Sequence, residues 1–135
     1  MKVSLDPGAY VPERAHEDDA GLDLRSPSSF WLFAGEHKPI DTGVHIAIPR
    51  GYVGLITSKS GLMAKGITSR GTIDSGYTGS IKAVLYNHGA ESYQVRAGDK
   101  ITQLVVLPIH NEPVELVSSL EETERGDGGF GSSGR

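Results

Sequence analysis

The sequence predicts an all-β domain, a sandwich or a barrel, on three observations. Apolar and polar residues alternate with a period of two in several stretches. Turn signals built on Gly, Pro, Asn and Asp recur about every 8 to 12 residues. Helical periodicity is nearly absent, and 18 glycines in 135 residues suit short strands and many turns. The length fits one domain. Hydrophobic residues make up only 37%, so the core is small and burial is expected to be completed by oligomerisation.

The elements follow in order. Residues 7–19 hold two prolines and several charges and read as an extended leader. "GLDLRS" (21–26) alternates and reads as a short strand. Phe30 and Leu32 suggest a strand that ends at the Ala34-Gly35 turn. Val44, Ile46 and Ile48 alternate with His45 and Ala47. Pro49-Arg50-Gly51 then turns the chain, and Tyr52 to Thr57 resumes as strand. "SGLMAKG" (60–66) can carry a turn or two of helix. In residues 79–95, Ile81, Ala83 and Leu85 face one way and Lys82, Val84 and Tyr86 the other, with Asn87 to Ala90 as turn. "AGDKITQLVVLPI" (97–109) runs as an almost continuous apolar strand, which argues burial on both faces. "EPVELVSSL" (112–120) is expected as a last strand before a polar tail.

Several function classes fall away. There is no cysteine, hence no disulfide and no thiolate chemistry. The net charge is −4 with no run of Lys or Arg, which disfavours nucleic acid as a partner. No apolar stretch approaches the roughly 20 residues of a membrane span, and the N-terminus lacks the apolar region of a secretory signal. A soluble cytoplasmic protein without a membrane partner is expected. The five histidines, at 16, 37, 45, 88 and 110, are scattered and not at metal-ligand spacing. No G-x-S-x-G elbow is present. Gly61 and Gly66 have the spacing of a phosphate loop, but Ile67 stands where that loop needs Lys.

What remains is a set of polar turns. "TSKSGL" (57–62) reads either as an ordinary helix start with Lys59 in solvent, or as an anion cradle using backbone N–H groups, the Lys59 charge and the Ser60 hydroxyl. Asp74, in "RGTIDSGYTGS" (70–80), reads as a turn former or as a general base aimed at a water. Tyr77 beside it offers a flat face to a sugar or base, though it is equally an ordinary strand residue. "RGDGGFGSSG" (125–134) reads as a frayed terminus or as a nucleotide lid. Gly allows close approach, Arg suits phosphate, and Phe suits stacking on a base.

Taken together these stretches resemble the trimeric deoxyuridine triphosphatase (dUTPase) family, whose five ordered motifs all have counterparts here. They are "AGLDL" (20–24), "SKSGL" (58–62), "GTIDSGYTGSIK" (71–82), "AGDKITQL" (97–104) and "RGDGGFGSSG" (125–134). The resemblance implies a distorted jelly-roll or barrel-like β domain over 1–124 and a mobile C-terminal arm over 125–135. It implies a homotrimer with active sites at subunit interfaces. The reaction would be Mg²⁺-assisted hydrolysis of dUTP to dUMP and pyrophosphate, which keeps dUTP out of DNA and supplies dUMP for thymidylate synthesis.

Carried over by position, Asp74 would deprotonate the water that attacks the α-phosphorus. Tyr77 would pack on the deoxyribose and exclude a 2′-hydroxyl. Backbone groups between Gly66 and Asp74 would read the uracil edge, with Thr68 facing the base and Thr72, Ile73 and Lys82 lining the pocket. Lys59, Ser60 and Gly61 would hold phosphates, with Gln103 at the same end. Asp23 would sit near the metal's water shell or serve a structural role. Arg125 would clamp phosphate, Phe130 would stack on uracil, and Gly131, Ser132 and Ser133 would wrap the polyphosphate.

The chain departs from the family pattern at Lys59, where Arg is usual, and at Gly76, Thr78 and Ser80, where charged residues are common. The segment from Ser60 to Asp74 is also short, as in some compact bacterial and phage-encoded members. Two other readings stay open. A dCTP deaminase of related fold would need a Glu general acid/base, with Glu112 and Glu115 as candidates. A dUTPase-like fold could instead serve to bind a protein partner. A jelly-roll structural module with a disordered tail would require five ordered motifs to be coincidence.

Overall fold

Alternation along each strand puts one side of the chain into a core and leaves the other side to be covered or solvated. The computed structural model describes residues 1–134. Along these residues lie β1 (Val3–Leu5), β2 (Gly21–Arg25), β3 (Phe30–Leu32), β4 (His37–Asp41), β5 (Val44–Ile46), β6 (Tyr52–Thr57), α1 (Ser60–Met63), β7 (Ile67–Ile73), β8 (Lys82–Asn87), β9 (Tyr93–Val95) and β10 (Lys100–Pro108). The fold is all-β and of jelly-roll type. A six-stranded sheet runs β2-β10-β6-β7-β8-β4, and two small sheets pair β1 with β5 and β3 with β9. Every pairing is antiparallel.

The core lies between the large sheet and the small ones, in two clusters. One holds Leu22, Leu24, Ile46, Ile56 and Leu104 among others. The second holds Leu32, Ile67, Leu85, Val95 and Ile101. The inward set expected on 79–95, Ile81, Ala83 and Leu85, is buried. Between the clusters runs a chain of hydroxyls. Thr102 donates to the Thr57 carbonyl at 2.9 Å, and the Ser69 hydroxyl lies 2.7 Å from that of Thr102. The Ser58 hydroxyl donates to the Ser69 carbonyl and accepts from its N–H, at 3.0 and 2.9 Å. These bonds join β6, β7 and β10 from inside.

The structure corrects three expectations. Residues 112–120 form no strand, and Val114 and Leu116 are almost fully exposed. Their alternation is real, but nothing else in the described chain lies beside them to pair with. β10 is buried on the core side only. Val106 packs on the core beside Leu104, whereas on the other face Val105 is half-buried and Leu107 is exposed, because nothing among the described residues covers that face. Further strands appear at β1, β4 and β7.

The helix over 60–66 is shorter than its window, and Gly66 ends the segment at φ 78°. A side chain there would also meet the backbone nitrogen of Gly89 at 3.0 Å, so only glycine fits.

Candidate active site

β7 and β8 are joined by the turn 74–81, and its two flanks open a cavity of about 230 Å³ lined by Thr72, Ile73, Asp74, Tyr77 and Lys82. Five residues chosen from sequence are thus brought together. Asp74 is exposed and its carboxylate has no hydrogen-bond partner among the described residues. Its carbonyl accepts from the Tyr77 N–H at 3.0 Å. The Tyr77 ring folds back over Gly79, where an added Cβ would lie 2.6 Å from Cζ. Its hydroxyl donates to the Ser80 carbonyl at 2.8 Å.

The turn is fastened from below by the segment between β4 and β5. Buried Thr42 donates its hydroxyl to the Ile81 carbonyl at 2.7 Å, and the Ile81 N–H donates to Val44 at 2.8 Å. The Ser80 hydroxyl donates to Asp41. That bond, with the N–H of Gly43, holds the Asp41 carboxyl below its usual range.

A second cluster sits where β6 runs into α1. Asp23 on β2 is 3% exposed. One of its oxygens takes Lys59 and the other takes Lys100 at 2.7 Å, while its N–H donates to Glu13 at 2.8 Å. Burial alone would raise the Asp23 pKa. The hydrogen bonds from Lys100 and Lys59 outweigh it and hold the group below the ordinary value. Lys59 is therefore not in solvent, as the plain helix-start reading had it, and no side chain caps the helix. Ser60 and Gly61 are exposed on its first turn.

Gln103 reaches the same place. Its amide donates to the Ser58 carbonyl at 3.2 Å. A Cβ on Gly21, two residues before Asp23 on the same strand, would collide with that amide. Among the described residues no group of three or more His, Cys, Asp or Glu could hold a metal.

Two predicted contributors lie elsewhere. Thr68 stands near the start of β7 and Asp74 just beyond its end, six residues apart and up to about 20 Å away at 3.3 Å per residue. It bonds His88 at 2.9 Å and shares a separate cavity with Arg70, Tyr86 and His88. The arm residues contact one another. Arg125 donates to the Gly128 carbonyl at 2.9 Å, Gly131 and Ser132 belong to tight turns, and Phe130 is fully exposed.

Sequence reasoning passed over Thr42, Ser58, Ser69 and Lys100. A threonine before glycine and polar residues inside apolar strands were the available signals, and both are common without function.

A sequence model of the family described as dUTPase matches residues 8–134. The chain belongs to the dUTPase family. It is 46% identical over 135 residues to a deoxyuridine 5'-triphosphate nucleotidohydrolase of Rhodococcus erythropolis, covering 96% of this chain and 82% of that one. It is 47% identical over 142 residues to the protein of the same name from Mycobacterium avium, covering 98% and 92%.

Among solved structures it is similar to the dUTPase of Staphylococcus bacteriophage 80alpha with dUPNHPP, at TM-score 0.93 and 34% identity over 99% of this chain and 98% of that one. It is also similar to a mutant dUTPase from phage phi11 of S. aureus, at TM-score 0.82 and 33% identity over 90% and 98%. That structure is described as revealing the coordination of a structural Mg(II) ion.

Proposed function

We infer that this chain hydrolyses dUTP to dUMP and pyrophosphate, with the nucleoside in the cavity between β7 and β8. The observation that carries the reading is the meeting of Asp74, Tyr77, Thr72, Ile73 and Lys82 around one cavity in a member of the dUTPase family. Asp74 takes the proton of a water. The water oxygen bonds to the α-phosphorus, the bond to the bridging oxygen breaks, and pyrophosphate leaves. An exposed, unpartnered carboxylate suits that base. Tyr77, pressed on Gly79, walls off the space a 2′-hydroxyl would need. Backbone groups along the hairpin read the uracil edge, and the wrong base would leave them unpaired.

Charge neutralisation falls to Lys59, Ser60, Gly61, Gln103 and the arm. Lys59 and Lys100 bring two positive charges to one buried carboxylate, so the cluster keeps one net positive charge for phosphate. Asp23 has both oxygens taken by ammonium groups, which favours the structural of its two roles. The donor set suits a Mg²⁺ carried on the substrate's phosphates and met by the protein through water. Such an ion supplies neutralisation of phosphate charge. Arg125 clamps phosphate, Phe130 stacks on the base, and Gly131 and Ser132 wrap the chain of phosphates.

The geometry also supports sites shared between copies in a homotrimer. Ile73 pairs with Gly54, and the phosphate turn begins four residues farther along β6, about 13 Å at 3.3 Å per residue. Lys59 and Asp74 of one chain thus lie at opposite ends of the β6–β7 pair. Apolar Leu107, Val114 and Leu116, left uncovered by the described residues, suit burial against a second copy. Thr68 then faces a base only if the partner supplies it.

The deaminase reading is weaker. Glu112 is exposed and paired to His110 at 2.7 Å, and Glu115 is exposed on the same open segment. The test is pyrophosphate release from dUTP, dCTP, dTTP and UTP with Mg²⁺. Release from dUTP alone is expected. Ammonia from dCTP would establish the deaminase, and no product from any substrate would leave a binding protein.

A further inference from the structure

One side chain bridges the N-terminal segment and the turn 74–81. His45 stands on β5, where it pairs in register with Ser4 of β1. Its Nδ1 lies 2.8 Å from the carbonyl oxygen of Thr78, next to Tyr77. Its Nε2 lies 3.1 Å from Oδ1 of Asp6, just beyond β1. Both partners are acceptors, since neither a carbonyl nor an ionised carboxylate has a proton to give. A neutral imidazole carries one N–H and satisfies one of them. Making both contacts takes the imidazolium.

The surroundings favour that form. The Thr78 carbonyl first, then the Asp6 carboxylate, push His45 above the ordinary value of 6.5, and the charge of Asp41 adds to this. The charged groups around the ring are Asp6 beyond β1, Asp41 at the end of β4, and Lys2 along the same groove. Lys82 stands against Asp41 from the far side, and Asp74 and Tyr77 are the other titratable groups of the turn itself.

We propose that His45 is a positioning residue which, as an imidazolium, ties the N-terminal strand to the Thr78 carbonyl and so seats Tyr77 in the nucleotide cavity. The proposal rests on the reading of the 74–81 turn as the nucleotide site. Thr42 and Asp41 fix the turn only at Ser80 and Ile81. Between Asp74 and Ser80, the His45 bond is the side-chain tether that reaches in from another element. When the ring loses its proton, one acceptor faces a lone pair and must move away. Since the charged form persists to a pH above 6.5, the tether is complete below that pH and fails as pH rises through the raised value. Substrate affinity falls with it.

The test uses the full chain, its His45→Gln variant and its Asp6→Asn variant. Ring nitrogens of His45 and amides of Thr78 and Gly79 are followed by NMR over roughly pH 5 to 9, with KM and kcat for dUTP measured alongside. The unaltered chain is expected to hold a doubly protonated ring to above pH 6.5, with the Thr78 and Gly79 amides moving at the same midpoint. Across it KM rises about five-fold, the scale of one hydrogen bond, while kcat stays nearly level. Asp6→Asn moves the midpoint down, and His45→Gln removes it.

A neutral ring below pH 6.5, Thr78 amides indifferent to the ring, or one KM–pH curve shared with His45→Gln would each overturn the proposal. If the amides follow the ring but dUTP is not hydrolysed at all, the link between strand and turn stands and the reading of the site fails.

Discussion

Tyr77 and Phe130 are both exposed aromatics proposed to meet the same nucleoside, yet they are held in opposite ways. Tyr77 rests on Gly79, bonds Ser80, and belongs to a turn fastened by Thr42, Asp41 and His45. Phe130 is fully exposed, and among the described residues the arm's hydrogen bonds run within 123–134. The contrast matches the two demands of the reaction. Rejecting the wrong sugar and base needs a wall that does not yield, whereas gripping a triphosphate needs groups that arrive with it and leave with its products. The phosphate turn lies between these extremes, anchored by Asp23 yet exposed at Ser60 and Gly61.

Four variants break or sharpen this comparison. Asp74→Asn strikes the fixed part, and kcat is expected to fall by about 10² to 10⁴, the range for a general base. Its melting temperature should not change, because the carboxylate is exposed and unpartnered; a matching loss of stability would make Asp74 a turn former instead. Truncation after Glu124 strikes the free part. Steady-state kinetics should show kcat/KM lower by about 100-fold at unchanged stability. Full activity in the truncated chain would end the lid proposal and leave the family intact.

Asp23→Asn tests the intermediate region. Chemical denaturation should read a loss of about 2 kcal/mol, below the figure for a fully buried pair because the two lysines are partly exposed. The sign with pH follows from the lowered pKa of Asp23. Its contribution is present above the unfolded value of 3.8 and is lost as pH falls through the lower folded value. The unaltered chain should therefore lose stability in acid more steeply than the variant, and parallel acid curves would contradict the assignment. Gly21→Ala is the mildest. The new methyl pushes the Gln103 amide aside and also lies 3.1 Å from the Gln103 Cβ, so KM should rise about three-fold, within the worth of one hydrogen bond, with a small fall in melting temperature.

The all-β class was legible because Val44, Ile46 and Ile48, or Ile81, Ala83 and Leu85, declare their faces without help. β7 was not, and its residues explain why. Ile67, Ser69, Gly71 and Ile73 share the core-facing side, and the middle two are polar or bare, so the alternation disappears from a hydropathy reading. β1 is exposed throughout and β4 buries one residue, Ile40, too little apolar signal for either. The strand expected over 112–120 failed in the other direction, since a pattern can state that a segment wants a neighbour without stating which chain supplies it.

In the candidate site, residue types at the β7–β8 turn were readable because their chemistry is local. The union of Asp23, Lys59 and Lys100 was not, since strand order alone brings them together. His45 stood in view as a polar residue in an apolar strand, with nothing nearby in sequence to name Asp6 or Thr78 as its partners.

The hydroxyl chain of Ser58, Ser69 and Thr102, ending on the Thr57 carbonyl, has a consequence for how this sheet assembles. A strand that slides by one residue turns every side chain to the opposite face, and hydrophobicity normally forbids it. β7 offers weak protection of that sort in its middle. The hydroxyls act there as notches on a key: they meet at one alignment and at no neighbouring one. Replacing Ser69 with valine would add oil to the core and keep the Ser58 bonds to the main chain of residue 69, yet remove the contact with Thr102 that marks the right alignment from the side-chain side. The expected defect is slow or misaligned folding more than a softer native state.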